Sequence, residues 1–210
     1  MPQITVHGPA LSTYVRTTRM ILEETNTPYE LKPVDILSGE QNAPEYLAKH
    51  PFGKVPTLEV DGQYLYETCA IAEYLDAAVN NGGFTPDDLM TQARMRQIMA
   101  IVDSYLYGPA ISTITIQRLI VPSQGGETDT AAVEAAIPKV QTALKAIEAI
   151  ATCSPYLLGD TVTLADLYLL PVVFYLSNTP DWEAVISETP QLKTWWDTAS
   201  QLPSFRQVLK

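Results

Sequence analysis

Residues 80–88, Asn-Asn-Gly-Gly-Phe-Thr-Pro-Asp-Asp, split the chain into two stretches with different hydrophobic rhythms. Breakers at this density interrupt any regular element and mark a domain boundary. Before the break, short strand-like runs alternate with helical stripes. After it, every apolar pattern is helical. The chain therefore reads as an α/β domain over residues 1–80, a linker over 81–88 and an all-α domain over 89–210.

Within the first stretch, Gln3 to His7 alternate as a strand, with Ile4 and Val6 on one face. His7-Gly8-Pro9-Ala10-Leu11-Ser12 is a loop. Val15, Thr18, Ile21 and Leu22 then mark a helix from about Thr13 to Thr25, stopped by Asn26-Thr27-Pro28. Tyr29 to Val34 is a second strand, placed at a sheet edge by Pro33. A short helix is expected around Pro44 to Lys49. Two strands then flank Asp61-Gly62, a strong hairpin signal because both turn residues tolerate positive φ. A helix follows from Glu67 to about Val79. The order is β-α-β-α-β-β-α.

Beyond the linker, Leu89 to Leu119 forms one long helical pattern, with a bend expected at Gly108-Pro109. Ala131 to Ala151 carries an apolar stripe with a kink expected at Pro138. Shorter helices are expected over Leu164 to Leu176 and Gln191 to Leu202. Thr163 and Asp166 have the spacing of an N-cap and its N3 partner, a structural pairing.

With 13 basic and 24 acidic residues the net charge is −11, shared almost evenly: −6 over residues 1–80 and −5 over the remainder. Neither half offers the basic surface that nucleic acid requires. Cys69 and Cys153 are far apart in sequence with no His or Cys beside them, a pattern that supports neither a disulfide framework nor a structural zinc site. No run is long and apolar enough to span a bilayer, and no secretory leader is legible. A reduced, cytoplasmic protein is expected, with no metal, nucleic-acid or membrane partner.

Three separate motifs then carry a resemblance over essentially the whole chain. Pro51-Phe52-Gly53-Lys54-Val55-Pro56-Thr57-Leu58, Glu67-Thr68-Cys69-Ala70-Ile71 and Gly159-Asp160-Thr161-Val162-Thr163-Leu164-Ala165-Asp166 resemble, in order, segments of the cytosolic glutathione transferases. The loop ending in Ser12 is similar to that of the serine-type, phi-like or theta-like members. The resemblance implies a thioredoxin-like N-terminal domain and an all-helical C-terminal domain.

The function it implies is a glutathione transferase that acts on hydrophobic electrophiles, with peroxide reduction as a further activity and glutathione as co-substrate. Lowering the thiol's pKa is the enzyme's task. A hydroxyl that donates to the thiolate and the positive end of a helix dipole both favour the charged form. Ser12, at the start of the first helix, is the expected catalytic residue, ahead of Thr13 and Tyr14, with Arg16 adding positive potential.

For the rest of glutathione, the resemblance implies a cis Val55-Pro56 bond whose backbone pairs with the ligand, and Glu67 and Thr68 at the γ-glutamyl end. It also points Gln41 and Lys54 to the glycyl carboxylate, with less positive charge at Gln41-Asn42 than in some serine-type relatives. The acceptor pocket is expected from Leu11 and Thr13 in the first domain and Tyr105, Ile111 and Thr115 in the second. A homodimer is implied, with Asp103 reaching the partner's glutathione. His50 and Cys69 are read as structural. Two other functions compete: a non-catalytic binding or assembly module, and a glutathione-dependent isomerase or dehalogenase.

Overall fold

The computed structural model describes residues 2–209. Two compact units are present: residues up to Phe84 together with those from Leu202 onward, and Thr85–Gln201. The last helix therefore belongs to the first unit, whereas the sequence reading placed it in the all-α domain. The reason is tertiary and invisible to local patterns. Helix α1 (Thr13–Glu24) packs against α10 (Pro203–Val208), and the Glu24 carboxylate accepts the Ser204 backbone N–H at 2.9 Å.

The first unit holds a four-stranded sheet in the order β2-β1-β3-β4, formed by β1 (Ile4–His7), β2 (Glu30–Lys32), β3 (Thr57–Val60) and β4 (Gln63–Leu65). Strands β1 and β2 are parallel, and the other two pairings are antiparallel. All four residues of β1 are buried, as befits an inner strand. Strand β2 lies at the edge and ends before Pro33, whose missing N–H could not extend the ladder. The Asp61-Gly62 turn has φ of 49° and 82°, the double positive φ its residues predict. Between β2 and β3 run a 3₁₀ turn (Glu40–Asn42) and α2 (Pro44–Leu47); α3 (Thr68–Asn80) follows β4. Asn81, at φ 53°, caps α3, and buried Asp76 accepts the Asn80 amide and the Phe84 N–H, each at 2.9 Å.

The second unit is all helical. Asp88 caps α4 (Leu89–Ile101) by accepting the Thr91 N–H at 2.8 Å. The same rod continues through Val102–Leu106 and Gly108–Ile120 in the wider i→i+5 winding, then closes with α5 (Val121–Ser123). The sequence predicts an ordinary bent helix here; the structure unwinds it instead. Helix α6 (Thr130–Glu148), capped by Asp129, runs through Pro138. Helices α7 (Leu164–Ser177), α8 (Trp182–Ile186) and α9 (Pro190–Ala199) complete the unit. Among the described residues no helix is long and apolar enough to cross a membrane.

Asp166 anchors this unit. It is fully buried, and its carboxylate accepts four hydrogen bonds, from the Thr163 N–H, the Thr163 hydroxyl, the Leu157 N–H and the Trp195 indole, each at 2.8 Å. Burial pushes the carboxyl up against the opposing pull of these donors. Every neighbour is a donor. The side chain ties α7 to α9 and to the loop before it.

Candidate active site

Three loops leave the same end of the sheet. Pairing of His7 with Thr57 aims the exit of β1 at the entry of β3, and pairing of Leu58 with Leu65 brings the exit of β4 alongside. Gly8, at φ +148°, fills the tight space between two of them. A Cβ there would lie 2.5 Å from Val15 Cγ2 and 3.2 Å from Val55 Cβ, so only glycine lets the loops close.

The β1 exit turns through Pro9, whose carbonyl accepts the Ser12 N–H at 3.0 Å. Ser12 is the N-cap of α1, and its carbonyl accepts the first helical bond, from the Arg16 N–H at 2.9 Å. Its hydroxyl does not cap the helix and makes no hydrogen bond among the described residues. A serine at this position usually spends its oxygen on the helix. Here that oxygen remains available. The buried Arg16 side chain braces the loop from beneath, its Nε donating to the Ala10 carbonyl at 3.3 Å. No acidic residue occupies the first turn of α1, so its positive end is not neutralised locally.

The β3 entry contains a cis Val55-Pro56 bond. The Val55 N–H and C=O make no hydrogen bond among the described residues. Tyr46 secures both flanks of this bend: its hydroxyl donates to the Lys54 carbonyl at 2.8 Å and lies 3.1 Å from the Thr57 hydroxyl. Gly53, at φ +57°, presses so closely on the Gln41-Asn42 turn that a Cβ would stand 3.0 Å from the Gln41 carbonyl. Gln41 and the loop bearing Lys54 are thus neighbours. Lys54 is exposed, while the Gln41 Oε1 is buried with no partner among the described residues.

At the β4 exit, Glu67 adopts φ 71° and ψ 112°, a conformation L-residues rarely tolerate. That backbone starts α3 abruptly. Glu67 is exposed, and the Thr68 hydroxyl, on the first helical residue, makes no hydrogen bond among the described residues. The α3 N-terminus also lacks an acidic residue in its first turn, so its backbone donors suit an anion.

Ser12, Val55, Pro56, Glu67, Thr68, Gln41 and Lys54 therefore belong to converging loops of one unit. The five acceptor-pocket positions divide. Leu11 is 69% exposed beside Ser12, whereas Thr13 is buried. In the second unit Tyr105 is 67% exposed and lines a cavity of about 620 Å³ with Ile101, Ser104, Pro109 and Lys139. Ile111 and Thr115 are buried, and the Thr115 hydroxyl donates to the Ala110 carbonyl at 2.9 Å. Thr115 thus spends its hydroxyl on its own helix. Asp103 accepts the Tyr168 hydroxyl with both carboxylate oxygens, each at 2.9 Å.

The sequence reading missed Tyr46 and Gly8, which hold the loops of the site in place. Only the glycine, in a loop after a strand, left a readable signal.

The four-stranded sheet with its converging loops, followed by a helical unit, defines a two-part architecture with a thioredoxin-like first unit, and comparison identifies the family. The chain matches the glutathione S-transferase N-terminal domain over residues 11–78 and the corresponding C-terminal domain over residues 98–203. It is 32% identical to glutathione S-transferase 1 of Zea mays, covering 99% of this chain and 96% of that one. It is also 32% identical to glutathione S-transferase F13 of Arabidopsis thaliana, covering 97% and 93%. Glutathione transferase F7 from Populus trichocarpa superposes with a TM-score of 0.85 at 32% identity, covering 98% and 97%. Glutathione S-transferase I from mais, solved in complex with an atrazine glutathione conjugate, superposes at 0.84 with 30% identity, covering 98% and 96%. The chain belongs to the glutathione S-transferase family, and it is a glutathione transferase with phi-class plant relatives.

Proposed function

We propose that this transferase activates glutathione through Ser12 and transfers its sulfur to a hydrophobic electrophile. The observation that carries the reading is the Ser12 hydroxyl, which stands at the positive end of α1 yet does not cap it. That hydroxyl donates to the thiolate and lowers the thiol pKa, with the helix dipole assisting. The thiol proton leaves to solvent. The thiolate then forms the S–C bond, and the electrophile's leaving group departs with its electron pair.

The remainder of glutathione meets groups of matching chemistry. The free N–H and C=O of Val55 pair with its extended cysteinyl backbone. Thr68 and the α3 N-terminus take the γ-glutamyl carboxylate, and the Glu67 carboxylate takes the adjacent ammonium. Lys54 and Gln41 serve the glycyl carboxylate. Leu11, exposed beside Ser12, offers apolar surface to the electrophile. A domain division at residues 81–88, a cytoplasmic location and a homodimer complete the proposal, all three drawn from the sequence and its resemblance.

The test is conjugation of a chloronitroarene, with glutathione affinity measured in parallel. Thr68→Val keeps the side-chain shape but removes the hydroxyl, a charge-assisted bond of about 1.5–3 kcal/mol. It should raise the KM for glutathione by at least about 10-fold with kcat little changed. An unchanged KM would remove Thr68 from the site. Wild-type protein that neither binds glutathione nor conjugates would overturn the whole reading.

A further inference from the structure

His50 is the buried titratable group that the proposed chemistry leaves unused. It follows α2, donates its N–H to the Tyr46 carbonyl at 3.0 Å and accepts the Gly53 N–H at 3.0 Å. That second bond closes the turn delivering Lys54. The side chain is 2% exposed and surrounded by rings: Tyr66 at 4.8 Å between centroids, Phe52 edge-on at 6.2 Å and Tyr46 stacked at 6.5 Å. Phe52 precedes the Gly53-Lys54-Val55 turn, and Tyr66 immediately precedes the strained Glu67. One imidazole therefore touches both turns assigned above to glutathione. Its Nδ1 is buried and has no hydrogen-bond partner among the described residues.

An unpartnered ring nitrogen is tolerable as a lone pair on neutral imidazole. As an N–H of the imidazolium it requires an acceptor. The His50 backbone carbonyl favours the proton but already accepts the Gly53 N–H, and the Tyr46 hydroxyl is committed to the Lys54 carbonyl and Thr57. Two charges face the ring from the turns it joins: Glu67 favours the proton and Lys54 opposes it. Burial outweighs Glu67 and holds the His50 pKa below its ordinary value. Aromatic faces attract a cation weakly, and that gain does not supply the missing acceptor.

We propose that His50 is a positioning residue that clasps the Lys54 turn and the Glu67 turn together as a neutral ring, so that glutathione affinity falls when His50 takes up a proton. The inference rests on the assignment of those turns to glutathione. Linkage gives the sign: a ligand that prefers the neutral form lowers the His50 pKa further, so affinity is full at neutral pH and lost as pH falls.

S-methylglutathione, which has no titrating thiol, isolates this effect from thiol activation. Calorimetry on wild type should show its Kd rising about 3- to 5-fold from about pH 7.5 to about pH 5, partway to the 10-fold ceiling set by a linkage of roughly one pKa unit between free and bound protein. His50→Asn and His50→Gln should lack this slope. The only other histidine is His7, whose Nε2 lies 2.7 Å from a Glu59 carboxylate oxygen, so His7→Gln should keep it. The NMR titration of the His50 ring proton needs no variant, and its midpoint should fall by about one unit at saturating ligand. Parallel slopes in wild type and both His50 variants, loss of the slope in His7→Gln, or an unmoved His50 midpoint would each overturn the inference. Wild type that fails to bind S-methylglutathione at either pH would overturn the site assignment and this inference with it.

Discussion

Ser12→Ala should lower kcat for chloronitroarene conjugation by about 10²-fold, the usual consequence of removing one donor from a developing or resting anion. Glutathione should still bind, because the contacts proposed for Val55, Thr68, Glu67 and Lys54 are with parts of the tripeptide other than sulfur. The bound thiol should titrate at higher pH, which the ultraviolet absorbance of the thiolate reports directly. The variant's folding should be little affected, since the Ser12 hydroxyl contributes no cap to lose. Two other hydroxyls lie close in sequence. Thr13 is buried, and Tyr14 is half-buried one turn position further on. Full activity in Ser12→Ala together with a dead Tyr14→Phe would move the catalytic role to tyrosine and leave the family unchanged.

Asp166→Ala should be the most damaging single change to stability, with almost no direct bearing on the chemistry. Four donors converge on this fully buried carboxylate, and removing it strands them all inside the helical unit. Breaking such a cluster costs about 4 kcal/mol, which corresponds to a drop of roughly 12 °C in Tm for a chain of this size. Asp166→Asn should be damaging too, because its amide would turn a donor toward donors. Thermal unfolding by circular dichroism measures both. A Tm within about 2 °C of wild type would show that water or a rearranged loop can satisfy the four donors instead.

Much of this arrangement was legible because the signals are local. Asp61-Gly62 fixes its hairpin by backbone preference alone, and the Thr163-to-Asp166 spacing fixes a cap within a single turn. The order of elements around the sheet follows from such punctuation. What escaped was tertiary or depended on helix winding. Apolar periodicity identifies residues 102–120 as helical, but cannot distinguish an i→i+4 ladder from the i→i+5 winding present, and the difference changes which side chains share a face. On that rod Ile111 and Thr115 are buried and Tyr105 is exposed. Helices α8 and α10, of five and six residues, are too short to show a period.

The site follows the same division. The residues assigned to glutathione came from motifs, and the structure brings their loops to one end of the sheet. Tyr46 was invisible as a contributor because its part depends on a hydroxyl bridging Lys54 and Thr57 across a fold that sequence spacing does not encode.

The packing of α10 on α1 makes the helical unit an insertion within the first unit, not an appendage to it. Both covalent connections, at residues 84–85 and 201–202, return to the same body. A single proteolytic cut in the 80–88 segment should therefore leave the C-terminal fragment attached to the sheet-bearing unit through α10. Truncation after Gln201 should weaken the sheet-bearing unit, whose α1 loses a neighbour, more than the helical unit it was cut from. In this chain the last few residues serve the fold's beginning.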